Sequence, residues 1–217
     1  MQPRIENARR AALVCGAWIA TAAILAAGSM PALAAKRVDR APAVELTKEA
    51  NGFTLTQDVR VSGDVRADYE TATRLLQQQK YAEGIALLVK ITESAPTAIA
   101  PFVDLGMAYS RTGDLDRAEA SLQKALQIDP THPIANNELG MVYRRKGRFA
   151  EARTAYEKAL MAYPGFHYAH RNLAILCDLY LQDLDCALQH YEAYRQAVPD
   201  DQDAVKWIAD LHNRTGR

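Results

Sequence analysis

From residue 65 to the C-terminus, apolar positions recur three and four residues apart and are separated by short polar breaks, which predicts a series of amphipathic helices. Phe102, Leu105, Gly106 and Tyr109 fall at i, i+3, i+4 and i+7, and Ala118, Leu122 and Ala125 make a facing stripe on the segment that follows. The pattern then returns. Leu105, Gly106 and Tyr109 recur as Leu139, Gly140 and Tyr143, while Ala118, Leu122 and Ala125 recur as Ala152, Tyr156 and Ala159. Pro96, Pro130, Pro164 and Pro199 mark these periods at intervals of 34, 34 and 35 residues. Each period reads as two antiparallel helices. Proline ends the second helix because it lacks an N–H and clashes with the preceding turn, and Gly113 and Gly147 stand where the turn inside a period calls for positive φ. Gly106 and Ala118 are expected to be small because two backbones approach there, with Tyr109 and Leu122 filling the wedge beside them. One helix pair cannot bury both faces, so the pairs stack.

A fixed period near 34 with Leu, Gly/Ala, Tyr, Ala, aromatic/Leu, Ala and Pro in that order resembles the tetratricopeptide (TPR) family. The resemblance implies an all-α, right-handed superhelical solenoid that binds other polypeptides and rarely performs chemistry. Aligning outward gives four units: 65–98, 99–132, 133–166 and 167–201. The first is looser, with Ala72, Leu75, Gly84, Leu88 and Ile91 at the signature positions. The fourth keeps Leu173, Ala174, Ala187 and Tyr191 but is one residue longer, and the extra residue is expected in the Leu181–Leu184 turn, where insertions are tolerated. Residues 202–217 read as a capping helix and tail: Ala204, Trp207, Ile208 and Leu211 mark one face opposite Asp203, Lys206, Asp210 and Asn213.

The first 34 residues carry a targeting pattern and are set aside from the fold. Arg4, Arg9 and Arg10 precede an almost wholly apolar run, 11–30, and Ala32 and Ala34 then form an A-x-A cleavage signal before Ala35. A cleaved secretory signal and a bacterial periplasmic location are expected; the alternative is an uncleaved anchor, since a run of this length can span a bilayer. Either outcome puts the repeats outside the cytoplasm. Residues 35–64 have no helical period and read as a flexible arm, beginning with a mobile tether around Lys36–Pro42. Phe53-Thr54-Leu55-Thr56 and Val59-Arg60-Val61 alternate like a strand that pairs with a partner or lies against repeat one. Removing residues 1–34, with three Arg and one Glu, from 26 basic and 26 acidic groups leaves 23 and 25, a net charge of −2. That balance offers no one-signed basic stripe for nucleic acid.

Cys177 and Cys186 both fall in the fourth repeat, late in its first helix and just before the alanine of its second. In an oxidising compartment such a pair favours a disulfide; the alternative is two buried thiols acting as small hydrophobes. His167 and His170, at i, i+3, are better read as packing and surface residues than as metal ligands, and His132, His190 and His212 stand isolated. Phosphate-loop, G-x-S-x-G and H-E-x-x-H motifs are absent from the sequence, so neither an enzyme nor a cofactor is expected.

What the resemblance implies about a site is a concave strip built from the first helix of each unit. It comprises Arg66, Tyr69, Thr73 and Leu76; Ala100, Val103, Met107 and Ser110; Ile134, Asn137, Met141 and Arg144; and Tyr168, Arg171, Ile175 and Asp178. The candidate peptide-binding residues are Tyr69, Val103, Met107, Asn137, Met141, Arg144, Arg171 and Ile175, which mix adaptable apolar side chains with amide and guanidinium groups suited to an extended peptide. Asn137 and Arg171 are expected to stand clear of the packing and to be oriented by the ligand. Met107 and Met141 are either groove residues or part of the core between repeats. TPR domains that hold the C-terminal carboxylate of cytosolic heat-shock chaperones place Lys, Asn and Arg where this chain has Tyr69, Thr73, Asp104, Ile134 and Glu138, so that clamp is missing and an acidic tail is the wrong ligand. The expected role is an exported scaffold that docks a protein or peptide in the cell envelope. The alternative is an assembly factor that oligomerises through its convex face or capping helix. The stretch 172–180 with His190-Tyr191-Glu192 is also similar to small TPR proteins associated with TonB/ExbB-type systems.

Overall fold

A computed structural model of the chain describes residues 44–49, 52–57 and 62–216. The expected signal segment, the tether at 36–42 and the Val59–Val61 stretch lie outside these residues. The chain divides into two compact units, 1–58 and 59–217.

In the first unit, strands β1 (Val44–Glu49) and β2 (Gly52–Gln57) pair antiparallel, with Leu46 opposite Leu55 and Glu49 opposite Gly52. The arm expected at 35–64 is therefore not without structure. The alternating segment around Phe53–Thr56 finds its partner strand within the arm itself, where the ladder satisfies backbone groups that an isolated strand would leave open.

The second unit is all-α. Its described residues form α1 (Gly63–Gln77), α2 (Tyr81–Ser94), α3 (Ile99–Thr112), α4 (Leu115–Ile128), α5 (Pro133–Arg145), α6 (Phe149–Ala162), α7 (His167–Leu176), a π-helical turn (Cys177–Leu181), α8 (Leu184–Ala197) and α9 (Gln202–Thr215). Starts are set locally by side-chain caps. Asp114 accepts from Arg117 N at 3.0 Å, Asp183 from Cys186 N at 3.1 Å, and Asp201 from Asp203 N at 2.9 Å. Gly113 and Gly147 take φ values of 89° and 74° at the turn between the two helices of a pair. Repeats one and four place Gln79 and Gln182 there, at 61° and 55°, where a side chain costs about 1–2 kcal/mol.

Each helix packs on its sequence neighbour, and in addition α1 packs on α3, α3 on α5 and α5 on α7. No comparable packing joins α2 to α4 or α4 to α6 among the described residues, so the first helices of successive pairs line one inner face. The small residues of the signature have a different cause from the one expected. A Cβ on Gly106 would stand 2.4 Å from Leu122 Cγ, and one on Gly140 would stand 2.5 Å from Tyr156 Cε1. The glycines make room for a side chain of the partner helix, and Leu122 and Tyr156 lie on the glycine instead of beside a close backbone crossing.

The extra residue of repeat four is also placed differently. The π-helical turn takes it up before the Leu181–Leu184 turn is reached, with Asp183 N bonding to Cys177 O at 2.9 Å. One wide turn absorbs an insertion while keeping its backbone paired. Behind it, Tyr156, Leu173, Leu176, Cys177, Tyr191, Ile208 and Leu211 form one core cluster that ties α9 onto the last repeat. Among the described residues no helix is long and apolar enough to cross a membrane.

Candidate functional site

The strip along α1, α3, α5 and α7 divides into buried, half-buried and exposed positions. Leu76, Val103 and Ile134 are buried and belong to the core. Tyr69, Met107, Met141, Arg144 and Ile175 are half-buried, and Arg171 is exposed. Met141 and Ile175 rest on the core cluster of the last two repeats while keeping part of their surface open.

Asn137 departs from the expectation. It is only 3% exposed, and both ends of its amide are engaged. Its Nδ2 donates to Glu138 Oε1 at 3.1 Å and approaches Met141 Sδ at 3.9 Å, while its Oδ1 accepts from Asn172 Nδ2 at 2.9 Å. An amide between two stacked helices is desolvated, and its partners come from the neighbouring turn and repeat because water is excluded. Arg171 is likewise engaged within the chain: its guanidinium lies 5.5 Å from the centre of the Trp207 ring, which itself stacks on Tyr191 at 5.2 Å. Arg144 lies over Tyr180 at 5.9 Å.

Two carboxylates hold more of this face than the sequence reading assigned them. Tyr69 Oη donates to Asp104 Oδ2 at 2.6 Å, joining α1 to α3. Burial pushes the Asp104 carboxyl up to about 6 against the pull of that hydrogen bond. Burial likewise raises Glu138 to about 7, opposed by the Asn137 hydrogen bond and the charge of Arg111. Tyr69 itself is pushed well above its ordinary value by burial and then by Asp104. Asp104, Glu138 and Asn172 occupy the same position in three successive repeats. That column was legible as a spacing, but only packing shows that its members are half-buried.

Cys177 is buried and Cys186 half-buried, with their Sγ atoms 2.09 Å apart and their Cα atoms 5.9 Å apart. The sequence pair is thus brought together across the π-helical turn. Asp183 lies within 4.8 Å of both sulphurs, but it caps α8 and meets Arg153 at 3.2 Å. His190 is not isolated: its Nδ1 stands 2.9 Å from Nδ1 of His170, whose Nε2 donates to Pro164 O at 2.9 Å. That second bond leaves Nδ1 of His170 as an acceptor for His190. Burial, and after it His170, lowers His190 to about 4. His132 is a buried N-cap that accepts from Ala135 N at 3.1 Å, and burial lowers it to about 4.

Stacked helix pairs with a continuous inner face built from the first helices define a superhelical repeat scaffold. The tetratricopeptide-repeat family profile matches residues 69–133, 103–165 and 137–177, which together span half of the chain; this protein belongs to the tetratricopeptide-repeat family. No curated protein sequence matches it. Among solved structures it is similar to MamA 41-end from Desulfovibrio magneticus RS-1, with 18% identity over 72% of this chain and 88% of that one and a TM-score of 0.63. It is similar to YrrB, described as a TPR protein with an unusual peptide-binding site, with 20% identity over 65% and 73% of the two chains and a TM-score of 0.57. The first TPR of Spaghetti (RPAP3), bound to the HSP90 peptide SRMEEVD, shares 20% identity over 55% of this chain and 96% of that one, with a TM-score of 0.52. At these identities the likeness establishes the fold. The family is one of protein-interaction scaffolds and is typically non-enzymatic.

Proposed function

We propose that this protein is an exported scaffold that binds an extended segment of a partner protein along the inner face formed by α1, α3, α5 and α7. The observation that carries this reading is the exposure pattern of that face. Tyr69, Met107, Met141, Arg144 and Ile175 keep open surface over a packed base, and Arg171 is exposed where it packs over Trp207. A row of half-open apolar side chains with directional polar groups between them suits a peptide in extended form, and methionine repacks readily around different side chains. Two structural neighbours are described in terms of peptide binding, which supports a peptide segment as the ligand. The missing carboxylate clamp separates the ligand expected here from an acidic chain terminus.

Export rests on the sequence of residues 1–34 and is supported by the approach of Cys177 to Cys186, a pairing suited to an oxidising compartment. The mature chain begins at Ala35 and works in the bacterial periplasm. Site-specific photo-crosslinking in the exporting cell tests both parts. A photoreactive residue at Tyr69 or Arg171 yields partner adducts, whereas one at Lys124 or Lys158, exposed on the second helices, does not. Adducts confined to the second helices or to α9 overturn the groove reading. An uncleaved N-terminus, read by mass spectrometry of the same protein, replaces export of a free chain with membrane anchoring.

A further inference from the structure

Resting on the groove reading, we infer that the inner face contains a subsite for a cationic side chain of the bound segment, formed by Asp104 on α3 and Glu138 on α5. The two carboxylates hold equivalent positions 34 residues apart, on first helices that pack against each other. Each takes its hydrogen bond from a neutral donor, Tyr69 Oη for Asp104 and Asn137 Nδ2 for Glu138. Among the described residues neither makes a salt bridge, although this chain pairs its outer carboxylates freely, as at Glu119 with Lys146 and Arg148.

A second observation marks the same place. Tyr156 is fully buried with its ring on Gly140, and its hydroxyl has no hydrogen-bond partner. That hydroxyl is within electrostatic reach of Glu138 and Arg144. A buried polar group without a partner is rare and costly, and here it lies within electrostatic reach of a half-buried carboxylate that makes no salt bridge.

The chemistry that compensates the two carboxylates is a lysine ammonium or an arginine guanidinium. Either carries several N–H donors, and charge-assisted bonds to carboxylates are about twice as strong as neutral ones. The charged and titratable groups acting on the pair are Tyr69 from α1 and Arg111 on α3, and the neutral amide of Asn172 from α7 bonds to Asn137 beside it, while Arg144 on α5 acts on Tyr156. Burial holds both carboxyls partly protonated near neutrality. A bound cation favours their ionised form, so seating it releases protons and grows tighter as pH rises.

The test uses the full mature chain and pools of N-acetylated, C-amidated peptides of Ala, Leu and Ser. One central position is fixed as Arg, Lys, citrulline, norleucine or Glu, and retention is read by mass spectrometry. At pH 8 the Arg and Lys pools are retained about 10-fold more than the citrulline, norleucine and Glu pools, a margin typical of one desolvated charge pair, and the margin shrinks at pH 5. The Asp104→Asn, Glu138→Gln double variant keeps acceptors for Tyr69 and Asn137. It retains the neutral pools as wild type does and loses the preference. Equal retention of all pools by wild type, or a preference that survives in the double variant or vanishes with a metal chelator, overturns the subsite and leaves groove binding standing. Retention of no pool overturns the groove reading and the subsite with it.

Discussion

Asn172 donates its amide to Oδ1 of Asn137 across 2.9 Å, tying the inner helix of repeat four to that of repeat three. The bond continues through the buried Asn137 to Glu138, so one polar chain runs along the inner face between two half-buried ends. Asn137→Ala strands Asn172 and removes the donor of Glu138. The expected cost is about 1–3 kcal/mol of stability, measured by urea unfolding at neutral pH. Asn137→Asp is expected to cost more, because it sets a second carboxylate beside Glu138. An Asn137→Ala protein as stable as wild type would show that the chain of amides is incidental.

Gly140→Ala places a methyl where Tyr156 already lies. The tyrosine ring is rigid and fully buried, so relief requires moving α5 from α6, at about 1–3 kcal/mol. Gly106→Ala meets the branched end of Leu122, which can rotate, and is expected to cost less. Thermal unfolding of the two variants side by side checks the order.

Cys177 and Cys186 are separated by 9 residues. Closing that loop in the unfolded chain is worth about 2–3 kcal/mol. Guanidinium unfolding of oxidised against reduced protein should show a difference in unfolding free energy of that size. Two free thiols in non-reduced, unfolded material would instead mean that the sulphurs sit together as a buried pair.

Glu138→Gln separates the titration of the inner face from that of the histidines. The folded-state value of Glu138 is raised to about 7, from an ordinary 4.5. Its burial therefore costs nothing below the unfolded value and destabilises progressively as pH rises through 7. The variant should gain about 1–2 kcal/mol over wild type at pH 8 and nothing at pH 4. His190 and His132, lowered to about 4, act in the opposite sense. The unfolded chain takes up protons below about 6.5, so their contribution is intact above that pH and lost as pH falls toward 4. Equal pH profiles for wild type and Glu138→Gln would show that the carboxylate is solvated.

The helix pairs, their order and the capping helix were legible because each rests on local spacing. Leu105, Gly106 and Tyr109 repeat at Leu139, Gly140 and Tyr143, and a period of 34 with terminal prolines admits few alternatives. The hairpin was half legible: Phe53–Thr56 alternates, but Lys48 and two glutamates dilute the apolar signal of Val44–Glu49, and a strand is recognised through its partner. The candidate site was legible as a list of positions and misjudged in its energetics. Asn137 was placed on the right face, yet its engagement with Asn172 depends on how far two helices approach. Asp104 and Glu138 registered only as the wrong charge for a carboxylate ligand.

Periodicity is a property of neighbours along the chain, and by itself it determined the repeat class and the helix pairs, while the inward-facing positions followed from the family resemblance. Which of those residues are spent on the protein's own packing was decided only by the stacking of one repeat on the next. The burial of the inner face, the pairing of His170 with His190, and the seating of Leu122 and Tyr156 on glycines all arise between residues 16 or more positions apart, whose distances no local pattern encodes.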